Sequence, residues 1–416
     1  MTGAERDGRK LLGCVVPALI ACATACGSGG GGSGADPDGG AQARPDPAYP
    51  VFDPARVHDV VLTMSADDWQ SIINDTEGDT ERHATLTYDG VMVGDVGVHP
   101  SGESSRFPGN PKMSVRVGFD SFGGAKFAGL TELKLKGQWD DNSMMRDGLA
   151  KFVYRSIIPT GDETYARVVV NGDLRGLYAV QQMWNPESLK QQNYADPIGP
   201  LYRIRGVKGT DPYAYLGDNT GAYTPLPWEQ HVNNPARGDD VIPAFLKTIQ
   251  ASPLMIDTVE DVETLLGYLA ATTLAMNVDC MVGDSGVEDH YQYFDPVTGK
   301  FFVLPWDPDK SFSYNGDPAT RSIYADFETA APTLIIRDDG DFRPRYKTKI
   351  SALIAKTPAS AVQAEVDRVY NLIKDVAHED PVKRFDNGTF DWASGYIKTF
   401  IGQRYQNVQD QVANGP

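Results

Sequence analysis

FFVLPWDPDKSF, residues 301–312, is an apolar run that stops at Trp306 and then presents Asp307 and Asp309, one residue apart. A carboxylate pair at the mouth of a buried strand is either a turn cap or a site for a hard cation. The stretch before it, NVDCMVGDSGVEDHYQYFDPVTGK (277–300), reads as a helix end carrying Asp279, a polar loop, the strand HYQYF and the turn DPVTGK. A β-hairpin is thus bracketed by acidic positions. Phosphoryl transfer of the kinase type needs parts in that order: a carboxylate for the acceptor hydroxyl, a loop ligand, a hairpin, then a carboxylate on Mg²⁺. Asp279, Asp289 and Asp307 stand in those places. Magnesium takes oxygen ligands and keeps several waters, so one or two carboxylates with a substrate phosphate suffice. By spacing alone each of these aspartates reads equally as a cap or a turn residue.

Upstream, residues 51–183 are strand-rich. HDVVLTMS, ATLTYDGVMVGDVGVHP, MSVRVGF, LTELKLKG and YARVVVNGDLRGLYAV carry β-branched or alternating residues between Gly, Pro and Asp. Asn171-Gly172 supplies the positive φ angles of a type I′ turn. Two helices interrupt the strands: SADDWQSIIND, opened by a Ser N-cap, and DNSMMRDGLAKFVYRSI, with Met144, Leu149, Phe152 and Val153 on one face. Residues 184–240 are loop-rich and carry no clear assignment.

Residues 241–416 are mainly helical. DTVEDVETLLGYLAATTLAMNVD is apolar around most of its circumference and predicts a buried central helix. Three further helices are expected at roughly 345–356, 359–378 and 394–412. A strand-rich part followed by a helical part indicates an α+β protein with two lobes.

The first 26 residues carry Arg6, Arg9 and Lys10, then an apolar core from Leu11 to Ala21. That core is shorter than the ~20 residues a bilayer span needs, so the segment reads as a secretory signal. LIAC, ending at Cys22, resembles a bacterial lipobox; ATAC, ending at Cys26, is a looser match. Lipidation at Cys22 or Cys26 is expected, with an ordinary cleaved signal as the alternative. Residues 27–50 are Gly, Ser, Pro, Asp and Ala and read as a flexible tether. The expected location is the cell envelope, lipid-anchored at an outer membrane or cell surface.

Of four cysteines only Cys280 lies in the body, which excludes an intramolecular disulfide and a Cys-based zinc site there. It reads as a small apolar filler rather than a nucleophile. The chain holds 56 Asp plus Glu against 38 Lys plus Arg, a net charge of −18. That argues against nucleic acid or an anionic membrane surface as partner.

LKLKGQWDDNSMMRDGLAKFVYRSIIPTGDETYARVVVNGDLRGLYAVQQ, with NVD and FFVLPWDPDKSF downstream, resembles the CotH kinase family over about residues 57–410. Its Trp-Asp-Asp-x-Ser-x-x-Arg segment, Asn-Gly-x-x-x-Gly-Leu-Tyr hairpin and Pro-Trp-Asp stop carry the likeness. The resemblance implies an atypical, exported protein kinase of distant two-lobed kinase-like fold. It would use ATP and Mg²⁺ to phosphorylate Ser or Thr of surface or exported proteins, and act as a monomer. Asp279 would be the catalytic aspartate and Asp307 the metal-binding one, with Asp309 either supporting the metal site from behind or capping the turn. Gly102, Ser104 and Ser105 would lie over the nucleotide phosphates. Lys112, Arg116 and Lys136 are the implied phosphate cations, the kinase-lysine role being open among them. Arg146 stands either for a nucleotide contact or for a salt bridge to Asp140 or Asp141. Ser101, Gln182, Arg203 and Asp289 depart from the residues common in the family; at Asp289 an Asp replaces Asn and keeps an oxygen ligand for the metal.

GDSG (283–286) lacks the context of a serine-protease motif, so Ser285 reads as a loop residue. His290 reads as a surface strand residue. Tyr213, Tyr215, Tyr223 and Trp228 either line a sugar-binding face or pack beneath the long loop. A catalytically weak CotH-like structural or binding module, for protein or carbohydrate, is the competing function.

Overall fold

Alternating apolar and polar residues build the first half of the chain into a barrel. The computed structural model describes residues 50–206, 211–234, 236, 240–283 and 286–415. The leader with Cys22 and Cys26, the tether up to residue 49, and Ser285 lie outside the described residues.

In chain order come β1 (Val57–Thr63), α1 (Ala66–Asn74), β2 (Arg82–Tyr88), β3 (Val91–Ser101), β4 (Ser114–Gly118), β5 (Glu132–Lys136), α2 (Arg146–Arg155), β6 (Glu163–Val170) and β7 (Asp173–Gln182). The strands close in the order β1-β2-β3-β4-β5-β7-β6, with β6 returning to lie parallel to β1. Every second residue points inward, so Leu62, Leu86, Val115, Val117, Leu133 and Leu135 form part of the barrel core. Ser65 caps α1 by accepting from the Asp68 amide. Asn171 (φ 55°) and Gly172 (φ 86°) make the β6–β7 turn with both φ angles positive, as the Asn-Gly pair predicts.

The second predicted helix starts later than its sequence pattern. Met144 sits outside it with φ 53°. The reason is Asp141, whose carboxylate accepts from the Met145 and Arg146 amides at 2.9 and 2.8 Å and so satisfies the orphan donors of the first turn of α2.

The loop-rich section contains α3 (Pro186–Gln191), β8 (Leu201–Ile204) and β9 (Trp228–Val232). Beyond it lie α4 (Val241–Ala251), α5 (Ile256–Val259), α6 (Val262–Ala275), β10 (His290–Asp295) and β11 (Lys300–Pro305). The predicted central helix is broken between α5 and α6. There Glu260 bridges to Phe301 and Asp261 caps α6 by accepting from the Thr264 amide. Met276, at φ 51°, ends α6 ahead of Asp279. The hairpin β10–β11 joins β8 and β9 in a sheet ordered β11-β10-β8-β9. Four helices close the chain: α7 (Ala331–Asp338), α8 (Phe342–Lys356), α9 (Ala359–Glu379) and α10 (Asn387–Asn414), of which α7 was not anticipated.

The fold is mixed α+β, and the described residues belong to one compact unit. One apolar core fills the barrel; a larger one runs from α2 and the β8–β9 region through α4 to α10. Tyr213, Tyr223 and Trp228 are buried in the larger core, with Tyr215 packed against it, which is the packing alternative rather than a sugar-binding face. His290 is fully buried, contrary to the surface reading: its ring hydrogen-bonds the Tyr213 hydroxyl and the Glu288 carbonyl, both at 2.8 Å. Cys280 is also fully buried, and burial pushes its thiol up to about 12, which suits a filler.

Candidate functional site

On β5, Leu133 and Leu135 take the inner positions, so Lys134 and Lys136 must project from the outer wall of the barrel. The strand register extends that wall into one polar row: His99, Arg116, Lys134, Gln181 and Glu163 are successive cross-strand partners on β3, β4, β5, β7 and β6. Opposite stands the open end of the hairpin. His290 pairs with Pro305, so the chain leaves the two strands at Asp289 and at Trp306-Asp307, and both aspartates come to the same place. Each has a left-handed backbone, φ 36° at Asp289 and 49° at Asp307.

Asp279 is brought in by different bonds. Val278 donates to the Lys310 carbonyl at 3.1 Å and Phe312 to the Ala275 carbonyl at 2.7 Å, which lays the segment after Asp307 along the end of α6. Lys310 then pairs with one Asp279 oxygen.

These pieces enclose a cavity of about 220 Å³. Gly102 to Ser105 form one side, Arg116, Lys134 and Lys136 the barrel wall, and Asp279, Glu288, Asp289, Asp307, Asp309 and Lys310 the facing side. Gly102 has φ 102°, a conformation that favours glycine. Glu103 holds the loop to β8 and its C-terminal neighbour through Arg205 at 2.7 Å and Arg203 at 3.4 Å.

Ion pairs dominate the interior. Lys134 donates to Asp307 at 3.1 Å, and Lys136 to the other Asp307 oxygen. Lys136 also lies 2.8 Å from Asp147 on α2 and 2.9 Å from Asp309. Behind them Lys151 bridges Asp147 and Glu163 at 3.0 and 2.7 Å. Burial alone would raise the Asp307 carboxyl, yet Lys134 and Lys136 hold it well below the usual carboxylate range. Burial alone would lower Lys136, but Asp147, Asp307 and Asp309 hold it well above the ordinary lysine value. Burial lowers Lys134. Glu288 is pushed up to about 7 by burial, with Asp279 and Asp289 adding to it. Asp289 is raised by burial against the pull of Arg203, 2.5 Å away.

Of the residues singled out from the sequence, Gly102, Ser104, Ser105, Arg116, Lys136, Asp279, Asp289, Asp307 and Asp309 line this cavity. Two lie elsewhere. Lys112 is fully buried in an ion pair with Asp380 at the end of α9, and so is no phosphate contact as placed. Arg146 pairs with Asp141 at 2.5 Å and donates to the Ser311 carbonyl at 3.1 Å, which is the salt-bridge alternative. Asp309 reaches Lys136 rather than only capping a turn. Gln182 points away, toward the Asp162 amide and Gln191. Lys134, Lys310, Glu288, Glu103 and Asp147 were not singled out. The alternation in ELKLK places Lys134 beside Lys136 and was the available signal; nothing local marks Lys310 or Glu288.

The donor set suits a hard cation. Asp279, Glu288 and Asp289 each bring one oxygen within 4.8 Å of the others. Asp279 Oδ1 is buried with no hydrogen-bond partner among the described residues.

The model of the family described as CotH kinase protein matches residues 98–408. Inner spore coat protein H of Bacillus subtilis (strain 168) is 24% identical over 302 residues, covering 69% of this chain and 80% of that protein.

Proposed function

Since this chain belongs to the CotH kinase family, we propose that it is a metal-dependent phosphotransferase that moves the terminal phosphoryl group of ATP to Ser or Thr of an exported or surface protein. The observation that carries this reading is Lys136. It stands on a barrel strand, is tied to Asp147 on a helix, and also reaches Asp307. Protein kinases require the same kind of pair, a strand lysine held by a helix carboxylate beside a metal-binding aspartate. The parallel supports a distant two-lobed kinase-like arrangement, barrel against helices.

In this reading Lys136, Lys134 and Arg116 attract and orient the phosphates, and the backbone of Gly102 to Ser105 closes over them. Asp279, at the far side of the cavity, orients the acceptor hydroxyl and takes its proton. Carboxylates on the same side, Asp289 and Asp307 among them, would hold Mg²⁺, which supplies charge neutralisation of the phosphates. We place the protein at the cell envelope, anchored through a lipid on Cys22 or Cys26.

A structural or binding module is the second reading. It draws on Asp307, whose two oxygens are already engaged by lysines, and on the relative's description as a spore coat protein. The buried Tyr213, Tyr223 and Trp228 give its carbohydrate form no support.

The test is transfer of labelled γ-phosphate from Mg-ATP to the chain itself and to a Ser/Thr-rich acceptor protein, with thermal unfolding alongside. Nucleotide at about 100 times its Kd should stabilise the protein by about 2.7 kcal/mol. Transfer that Asp279→Ala abolishes supports the enzyme. Folded protein that shows neither a shift nor transfer overturns it.

A further inference from the structure

The facing side of the cavity contains two kinds of carboxylate. Asp307 and Asp309 are neutralised: Lys134 and Lys136 take both Asp307 oxygens, and Lys136 takes Asp309. Asp279, Glu288 and Asp289 are only partly neutralised. Lys310 holds one Asp279 oxygen, and Arg203 holds one Asp289 oxygen at 2.5 Å. Among the described residues the Glu288 side chain has no hydrogen-bond or ion-pair partner. Three carboxylates thus meet two cationic side chains.

The arrangement is braced from outside. The Glu288 amide donates to the Cys280 carbonyl at 2.9 Å, closing the loop between them and fixing Asp279 beside Glu288. His290, fully buried, holds the Glu288 carbonyl at 2.8 Å. Gly206 leaves the space in which Glu288 lies, since a Cβ there would sit 2.4 Å from Glu288 Cγ. The independent sign of a missing ligand is Asp279: the residue is 4% exposed, and its Oδ1 is buried without a partner although it lines the cavity. A buried carboxylate oxygen left bare loses its hydration with nothing in return, so a ligand is expected to bind there.

We propose that, without nucleotide, Asp279, Glu288 and Asp289 form a site for one hard divalent cation, while Asp307 stays paired with its two lysines. Around such an ion, opposite oxygens lie at about 4.2 Å for Mg²⁺ and about 4.6–5.2 Å for Ca²⁺. The three oxygens lie within 4.8 Å of one another, close enough to meet on one such ion. Glu288 becomes a cation ligand of the proposed phosphotransferase, and Asp279 shares one carboxylate between Lys310 and the ion. The inference rests on the phosphotransferase reading only for the use made of the cation, not for its binding.

The experiment follows the free-Mn²⁺ resonance signal as the full-length protein is titrated without nucleotide, with Mg²⁺ and Ca²⁺ as competitors. One Mn²⁺ per chain is expected, with affinity falling about tenfold or more in Glu288→Gln and in Asp279→Asn. Asp218→Asn, at an exposed carboxylate outside the cavity, should bind Mn²⁺ as the unaltered protein does. Far-ultraviolet circular dichroism confirms that each variant is folded. Absence of Mn²⁺ binding by the unaltered protein overturns the site, as does binding that survives Glu288→Gln but is lost in Asp307→Asn. Failure here with phosphate transfer intact removes this site alone; binding as expected without transfer removes the phosphotransferase reading alone.

Discussion

Lys136 Nζ lies 2.8 Å from Asp147 Oδ2, an ion pair between strand β5 and helix α2 with both side chains buried. Lys136 also serves Asp307 and Asp309, so three carboxylates from two separate segments converge on one ammonium group. Taking a buried ion out of water is expensive, and removing one partner strands the others.

Replacing Lys136 with Met should therefore destabilise the protein by about 3–5 kcal/mol, read as a drop in the urea midpoint at unchanged slope. Lys136→Arg should recover only part of this, because a planar fork cannot point at three carboxylates as a compact ammonium does. An unchanged midpoint in Lys136→Met would show that the network contributes nothing.

Asp279→Asn separates chemistry from folding. Its proton-accepting role is lost while most of the surrounding packing remains. Phosphate transfer should fall about 10²–10⁴-fold, with nucleotide still raising the thermal midpoint. Transfer within a few-fold of the parent would remove Asp279 from the reaction.

The Lys112–Asp380 pair is wholly buried and ties the approach to β4 to the end of α9. Asp380 also accepts from the Leu177 amide at 3.0 Å, so the helices are fastened to the barrel here. Lys112→Met should cost about 3–5 kcal/mol, while Lys112→Met with Asp380→Leu should cost clearly less than the sum of the two single changes. Additive losses would show that the contact is incidental. Phosphate binding is predicted to be untouched by the pair, since neither residue lines the cavity.

Glu260 offers a pH test away from the site. Burial pushes its carboxyl up to about 8, Gln292 opposing through a 3.4 Å hydrogen bond. The unfolded chain releases that proton near 4.5 and the folded one near 8. Between those values the folded state binds more protons, so stability falls as pH rises, by up to about 1.4 kcal/mol per pH unit from this group. Glu260→Gln should flatten the slope of stability between pH 5 and 8 by that amount; parallel curves would contradict it.

Part of this molecule is local in origin. The alternation of ELKLK and SVRVG puts Leu133, Leu135, Val115 and Val117 inside, and so turns Lys134, Lys136 and Arg116 outward whatever the strands pair with. Asn171-Gly172 makes a tight turn because few other pairs accept two positive φ angles. HYQYF and FFVL around DPVTGK form a hairpin whose free ends carry Asp289 and Asp307. The apolar circumference of α6 makes it a buried helix. Each of these follows from forces between residues a few positions apart.

Other features depend on contacts that span the chain. Asp141 delays the start of α2, and Glu260's bridge to Phe301 breaks a helix that residues 257–279 suggest by their pattern. β8 and β9 are short and flanked by Gly and Pro; β8 becomes a strand because β10 offers it an edge, and β9 because β8 then offers the next one. Lys112, Lys134 and Lys136 look alike in sequence, yet Asp380 claims the first while Asp307 claims the other two. A cation's role is set by which carboxylate lies across from it, and that is decided by sheet register and helix packing. The residues determined the barrel wall, the hairpin and its acidic ends. Only the tertiary structure decided which charges are paired and that Asp279 Oδ1, lining the cavity, is among the buried oxygens left without a partner among the described residues.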